Sequence, residues 1–203
     1  MKRAPQAPRS ALKIDILVES DRWKDDGPMR ALMRRAVAHA AAATQSTERA
    51  ELAILLADDS TIRSLNRDWR GFDSATNVLS FPATSIDGRH LGDIVLAFET
   101  VAREAARERK PLAHHLAHLV VHGFLHLVGY DHEDDAEAEE MEQTERQILR
   151  ELAIPDPYRP RRPAAARRAK GGTKPSAKSA IARRPKHTAK FRSDGATGRP
   201  RRP

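Results

Sequence analysis

The sequence predicts a single α+β domain, a sheet of about four strands covered by helices with a histidine-bearing helix packed centrally. Three observations carry this reading. Short segments at 12–18, 51–56, 77–81 and 91–96 are rich in Ile, Leu and Val and bounded by turn or polar residues, as strands are. Longer segments between and after them carry apolar residues at helical spacing. The most apolar of these holds His122-Gly-Phe-Leu-His126-Leu-Val-Gly129-Tyr-Asp-His132.

Each element has its own signal. Residues 12–18 alternate so that Ile14, Ile16 and Val18 share one face. A helix follows, with Pro28 in its first turn and Met29, Leu32, Met33, Ala36 and Val37 as its stripe, running toward Thr44. A second strand covers 51–56. Asp58-Asp59-Ser60 then supplies N-cap chemistry for a helix that turns Ile62, Leu65 and Trp69 inward. Residues 70–74 read as a loop, and 77–81 as a strand stopped by Pro82. The turn signal Ile86-Asp87-Gly88 joins it to a strand at 91–96 as a hairpin. Three helices are expected at about 98–108, 112–128 and 136–152, with Pro111 separating the first two and Gly129 ending the second.

Charge divides the chain further. Of the net +8, residues 159–203 hold sixteen Lys and Arg against the single acid Asp194, a net of +15 that leaves −7 for residues 1–158. The expected organisation is therefore a basic leader at 1–11, a folded domain at 12–158 and a tail at 159–203. The tail is rich in Pro, Gly, Ser and Ala, with Phe191 its one aromatic, and is expected to be disordered. Such tails bind polyanions by releasing counterions, so RNA contact is expected of it, against the alternative of a solubilising extension. No cysteine is present, which excludes disulfides and thiolate metal sites and fits a reducing cytoplasm. Nor is there a run of eighteen apolar residues or a signal core, so no membrane role is expected.

The histidines carry the chemistry. His122 and His126 are four apart and project from one helix face, and Gly129 tolerates the left-handed turn that brings His132 back as a third imidazole. Three neutral imidazoles suit one zinc ion per chain with its fourth position open to water, the arrangement of a catalytic rather than a closed structural site. A polar stripe is the competing reading, because His114, His118, His122 and His126 all follow at intervals of four. Metzincin proteases share the spacing but carry a Glu base directly after the first His, where this chain has Gly123.

Four ordered motifs resemble the YbeY endoribonucleases, bacterial rRNA maturation factors. They are the run from His122 to His132 with the acidic stretch Glu133-Asp134-Asp135 and Glu139-Glu140-Met141-Glu142 after it; Arg70-Gly71; Thr76-Asn-Val-Leu-Ser-Phe-Pro82; and Leu91-Gly-Asp-Ile-Val95. The resemblance covers residues 12–158. It implies a single-strand-specific, zinc-dependent endoribonuclease that matures the 3′ end of 16S rRNA and serves late ribosome quality control. His122, His126 and His132 become the ligands by that resemblance, and Arg70 matches an arginine important in the family; the role expected of it is a two-point clamp on the substrate phosphate. The implied partners are rRNA and the small ribosomal subunit, with ribosomal proteins or assembly GTPases among the contacts. The alternative is an assembly factor that binds the small subunit and uses its zinc structurally; a fourth protein ligand would favour it.

Several neighbours keep two readings. Asp131 and Glu133 either orient an imidazole or take up a proton, or else stabilise the turn and the next helix start. His118 lines a substrate groove or is an ordinary polar residue, and Asp93 is structural or supports a ligand. Arg63, Arg67 and Arg70 fall at helical spacing and suggest one basic edge that admits RNA to an acidic domain. With nine aromatics in the whole chain, sequence reading by base stacking is expected to be weak.

Overall fold

Four strands and five helices form in the order the sequence suggests, in a computed structural model that describes residues 12–23, 27–46, 50–84, 90–132 and 134–159. The strands are β1 (Lys13–Val18), β2 (Glu51–Ala57), β3 (Val78–Pro82) and β4 (His90–Ala97). The helices are α1 (Gly27–Ala43), α2 (Asp59–Arg70), α3 (Phe98–Arg107), α4 (Leu112–Leu127) and α5 (Asp135–Glu151). The expectations for the leader, the turn at 86–88, Glu133 and the tail from 160 onward lie outside the described residues.

The sheet order is β1-β2-β4-β3. β1 pairs with β2 and β2 with β4 in parallel, while β3 pairs antiparallel with β4, Leu79 opposite Val95, as the expected hairpin. The fold class is α+β, as the sequence suggests. The central strands are apolar on both faces, and the two faces serve different layers. Leu52, Ile54, Leu56, Ile94 and Leu96 join the larger core with α1, α4 and α5, while Ala57, Val95 and Ala97 pack with Ile62 of α2 on the other side. β1 shows the edge pattern, with Ile14 and Ile16 buried and Leu17 exposed.

α2 begins where expected, with the Asp58 side chain accepting the Thr61 N–H at 2.8 Å. Two details of the sequence reading are corrected here. Arg70 is not the start of a loop but the last residue of α2, closed by Gly71 in a left-handed cap. Trp69 does not turn inward; it is 64% exposed, because the inward stripe ends at Asn66, whose side chain donates to the Ser74 carbonyl. Among the described residues no helix is long and apolar enough to cross a membrane.

Candidate metal centre

α4 is the central element, in contact with α1, α3, α5, β3 and β4. It lies so close to the sheet that a Cβ at Gly123 would come within 3.0 Å of Ile94 Cγ2 and of Ser80 Oγ. The Ser80 hydroxyl already donates to the Gly123 carbonyl at 3.1 Å. The position at which a metzincin carries its general base therefore faces the sheet here and has no room for one.

The helix stops in a Schellman arrangement. Gly129 takes φ 94°, its N–H bonds to the His126 carbonyl, and the Tyr130 N–H reaches the Leu125 carbonyl at 3.0 Å. The reversal returns the chain over its own last turn, and the Tyr130 carbonyl accepts from His126 Nδ1 at 3.0 Å. The Asp131 carboxylate accepts the His132 N–H at 2.8 Å, so its observed contact supports the turn. The His132 ring then stacks on His122, with centroids 5.7 Å apart.

These devices bring together the three histidines singled out in the sequence. One ring nitrogen from each of His122, His126 and His132 lies within 4.8 Å of the others, and His122 Nε2 is 3.2 Å from His126 Nε2. Zinc at its usual bond lengths spaces tetrahedral nitrogens by roughly 3.3 Å. The donor chemistry fits an ion as well. His126 Nδ1 faces a carbonyl, which only accepts, so that nitrogen carries the hydrogen and leaves the Nε2 lone pair inward. Burial, together with the neighbouring His122 and His132 imidazoles, pushes the His126 pKa down to about 4, so the ring is neutral at neutral pH, as a ligand must be. The three therefore could hold a metal ion, and no fourth His, Asp or Glu joins the group among the described residues.

The partner of His122 is Glu145 on α5. Fully buried, this carboxylate accepts from His122 Nδ1 at 2.8 Å and His118 Nε2 at 2.9 Å, and from the Tyr158 hydroxyl. Burial pushes its pKa up, but the hydrogen bonds and charges of His118 and His122 outweigh that and hold it well below the usual carboxylate range. An ionised Glu145 can only accept, so His122 also carries its hydrogen on Nδ1 and turns Nε2 toward His126. Tyr158, its hydroxyl on Glu145, has its pKa pushed up by burial and by that carboxylate, and Arg146 lies over its ring at 4.8 Å.

The other candidates separate clearly. His118 belongs to the Glu145 assembly and also borders a cavity of about 300 Å³ lined by His114, His115, Pro157 and Arg159. Asp93 points to solvent and pairs with His90 at 3.4 Å; it supports none of the three histidines. The continuous basic edge does not form. Arg63 makes a two-point pair with Asp73 at 2.7 and 2.8 Å, and Arg67 is held by Asp68 at 3.0 Å. Arg70 differs: although the residue as a whole is exposed, desolvation of its guanidinium lowers its pKa without discharging it, and it reaches the Ser80 carbonyl at 3.5 Å. Among the described residues no carboxylate pairs with it.

Comparison with known proteins fixes the relationship. The family model described as Endoribonuclease YbeY matches residues 16–153. The chain belongs to the YbeY family. A relative named Endoribonuclease YbeY from Nitrobacter winogradskyi is 56% identical over 162 residues, covering 75% of this chain and 85% of the relative. One of the same name from Bradyrhizobium diazoefficiens is 53% identical over 153 residues, covering 71% and 84%. The solution structure of a Thermotoga maritima protein is similar with a TM-score of 0.48 and 24% identity, over 72% of this chain and 99% of that one. As a YbeY endoribonuclease the chain is an enzyme, a hydrolase acting on RNA.

In this YbeY domain the residue that sequence reasoning missed is Glu145. Its signal was present: it occupies the buried face of α5 between Met141 and Ile148, both apolar and both buried. An acid in such a stripe needs a partner, and the unexplained His118 supplied a candidate.

Proposed function

We propose that residues 12–158 form a zinc-dependent endoribonuclease that cuts single-stranded RNA in the 3′-end maturation of 16S rRNA and in late small-subunit quality control, in the cytoplasm. His122, His126 and His132 hold one zinc ion, and Arg70 binds the substrate phosphate. The observation that carries this reading is the convergence of three imidazoles, two with Nδ1 committed to acceptors, together with an arginine that no described carboxylate neutralises and that is linked through Ser80 to the carbonyl of Gly123 on the helix of His122 and His126. Bound there, zinc supplies Lewis acidity toward water and a phosphoryl oxygen.

The chain's own residues do the rest. Glu145 and the Tyr130 carbonyl fix the two imidazoles, and the Gly129 reversal returns His132 to them. Arg70 suits a phosphate because its planar fork offers two parallel donors and its charge is already partly desolvated. The sixteen Lys and Arg of residues 159–203 tether rRNA by counterion release and offset the −7 of the remainder. That only three ligands are present among the described residues supports a catalytic rather than a structural ion.

The test combines elemental analysis with cleavage of single-stranded and duplex RNA by wild type and Arg70→Ala at matched zinc occupancy. One zinc per chain, with single-strand cleavage lost in Arg70→Ala, is the expected result. Equal, feeble cleavage by both proteins would replace this reading with that of an assembly factor.

A further inference from the structure

The exposed end of α2 holds a feature that the metal centre does not use. Trp69 is 64% exposed, an unusual place for the largest apolar side chain, and Phe72, just past the Gly71 cap, is 38% exposed. The indole is held nonetheless: its ring meets Phe81 of β3 at 5.9 Å and 68°, an edge contact that fixes it and leaves most of its surface to solvent. Its neighbour Arg70 is the arginine of α2 with no carboxylate partner among the described residues, whereas Arg63 and Arg67 are engaged by Asp73 and Asp68. A short series of contacts joins this patch to the histidines. Trp69 touches Phe81; the next residue back, Ser80, receives Arg70 on its carbonyl at 3.5 Å and places its hydroxyl on the carbonyl of Gly123, which follows His122.

A fixed, exposed indole beside an uncompensated guanidinium matches one repeating unit of a single strand, a base face next to a phosphate. Duplex RNA keeps its base faces stacked internally and cannot offer one. We propose that Trp69 is a stacking platform for an unpaired nucleobase of the RNA substrate, adjacent to the phosphate held by Arg70. The proposal rests on the RNA-cleaving reading above and adds a physical origin for preference toward single strands. Stacking tolerates any base, so the platform selects strandedness and not sequence.

Trp69 reports on itself. The chain has two tryptophans, and Trp23 is 3% exposed with its Nε1–H on the Ala57 carbonyl. The full-length protein with its metal retained is titrated by rapid mixing, ahead of cleavage, with a short oligoadenylate, its duplex, and a ribose-phosphate strand without bases, at salt high enough to screen the tail. Oligoadenylate is expected to quench the fluorescence of wild type, while the duplex and the abasic strand leave it unchanged. Trp69→Leu is expected to lose the quench and bind oligoadenylate about tenfold more weakly. Trp69→Phe should recover the affinity, since a ring remains, and Arg70→Ala should weaken both single strands. Equal binding of oligoadenylate by wild type and Trp69→Leu, with no quench, overturns the platform and leaves the patch to an apolar protein partner. Failure of wild type to bind any strand overturns the RNA-cleaving reading together with it.

Discussion

Glu145→Gln separates holding the fold from preparing the histidines. The carboxylate accepts from His118 at 2.9 Å, from His122 at 2.8 Å and from the Tyr158 hydroxyl, and no part of it is exposed. Glutamine has the same shape but one oxygen, so one of the three donors meets an NH₂ group. Hydrogen bonds to a charged acceptor contribute about 1.5–3 kcal/mol and those to a neutral one about 0.5–1.5, so weakening two costs about 2 kcal/mol and exchanging the third for a neutral bond to the other His122 tautomer about 1–2 more. Against this, the variant no longer buries an ionised carboxylate, whose desolvation costs several kcal/mol. The terms nearly cancel. Metal-free protein is expected to stay within about 2 kcal/mol of wild type, a Tm change of no more than roughly 4–8 °C.

Zinc affinity has no such compensation. An NH₂ group facing His122 Nδ1 turns that nitrogen into an acceptor and moves the hydrogen to Nε2, the atom that faces His126 at 3.2 Å. Loss of an orienting partner of this kind costs about 10–100-fold in affinity. Competition against a chromophoric chelator measures it, and the ¹⁵N shifts of the His122 ring show the hydrogen's position directly. Unchanged affinity in a folded Glu145→Gln protein, with the His122 hydrogen still on Nδ1, would refute the reasoning.

Two other perturbations probe the surroundings. Gly123→Ala gains about 1 kcal/mol of helix propensity but forces a Cβ to 3.0 Å from Ile94 Cγ2 and Ser80 Oγ, at an overpacking cost of about 1–3 kcal/mol, so thermal unfolding should show a net loss of about 1 kcal/mol; a stabilised variant would refute the tight approach. Glu104 accepts from buried His115 at 3.1 Å and from Asn77 at 2.8 Å; the His115 hydrogen bond leads the causes that hold its pKa below the usual range. A lowered folded pKa means the unfolded chain binds the proton more readily, so this stability is present above about pH 4.3 and is lost as pH falls through the folded value. The destabilisation of Glu104→Gln measured at pH 7, about 1–2 kcal/mol, should therefore shrink on acidification; a gap that stays constant to pH 3 would count against it.

Local periodicity made the elements legible. Alternation at Ile14 and Ile16, the cap at Asp58 and the Gly129 stop each act within a few residues, and the structure keeps them. The three clustered histidines were legible for the same reason, since helical spacing and one turn suffice to bring them together. What stayed hidden depends on partners distant in the chain. Arg63 and Arg70 look alike in sequence, and only the fold gives the first an aspartate and the second a carbonyl on β3. Trp69 likewise reads as core until α2 is seen to bury only its Ile62 and Asn66 face. Beyond the β3–β4 hairpin, the strand order β1-β2-β4-β3 leaves no local trace either, because parallel crossovers are set by layer packing and not by turn chemistry.

The position of Glu145 also bears on when the site matures during synthesis. It lies 23 residues after His122, and at about 5–20 residues per second the ribosome makes it roughly one to five seconds later. Throughout that interval the nascent histidines exist without the carboxylate that selects the His122 tautomer, and Tyr158 follows later still. A chain interrupted before α5 therefore carries the three histidines, with the Tyr130 carbonyl in place for His126, but lacks the carboxylate that orients His122.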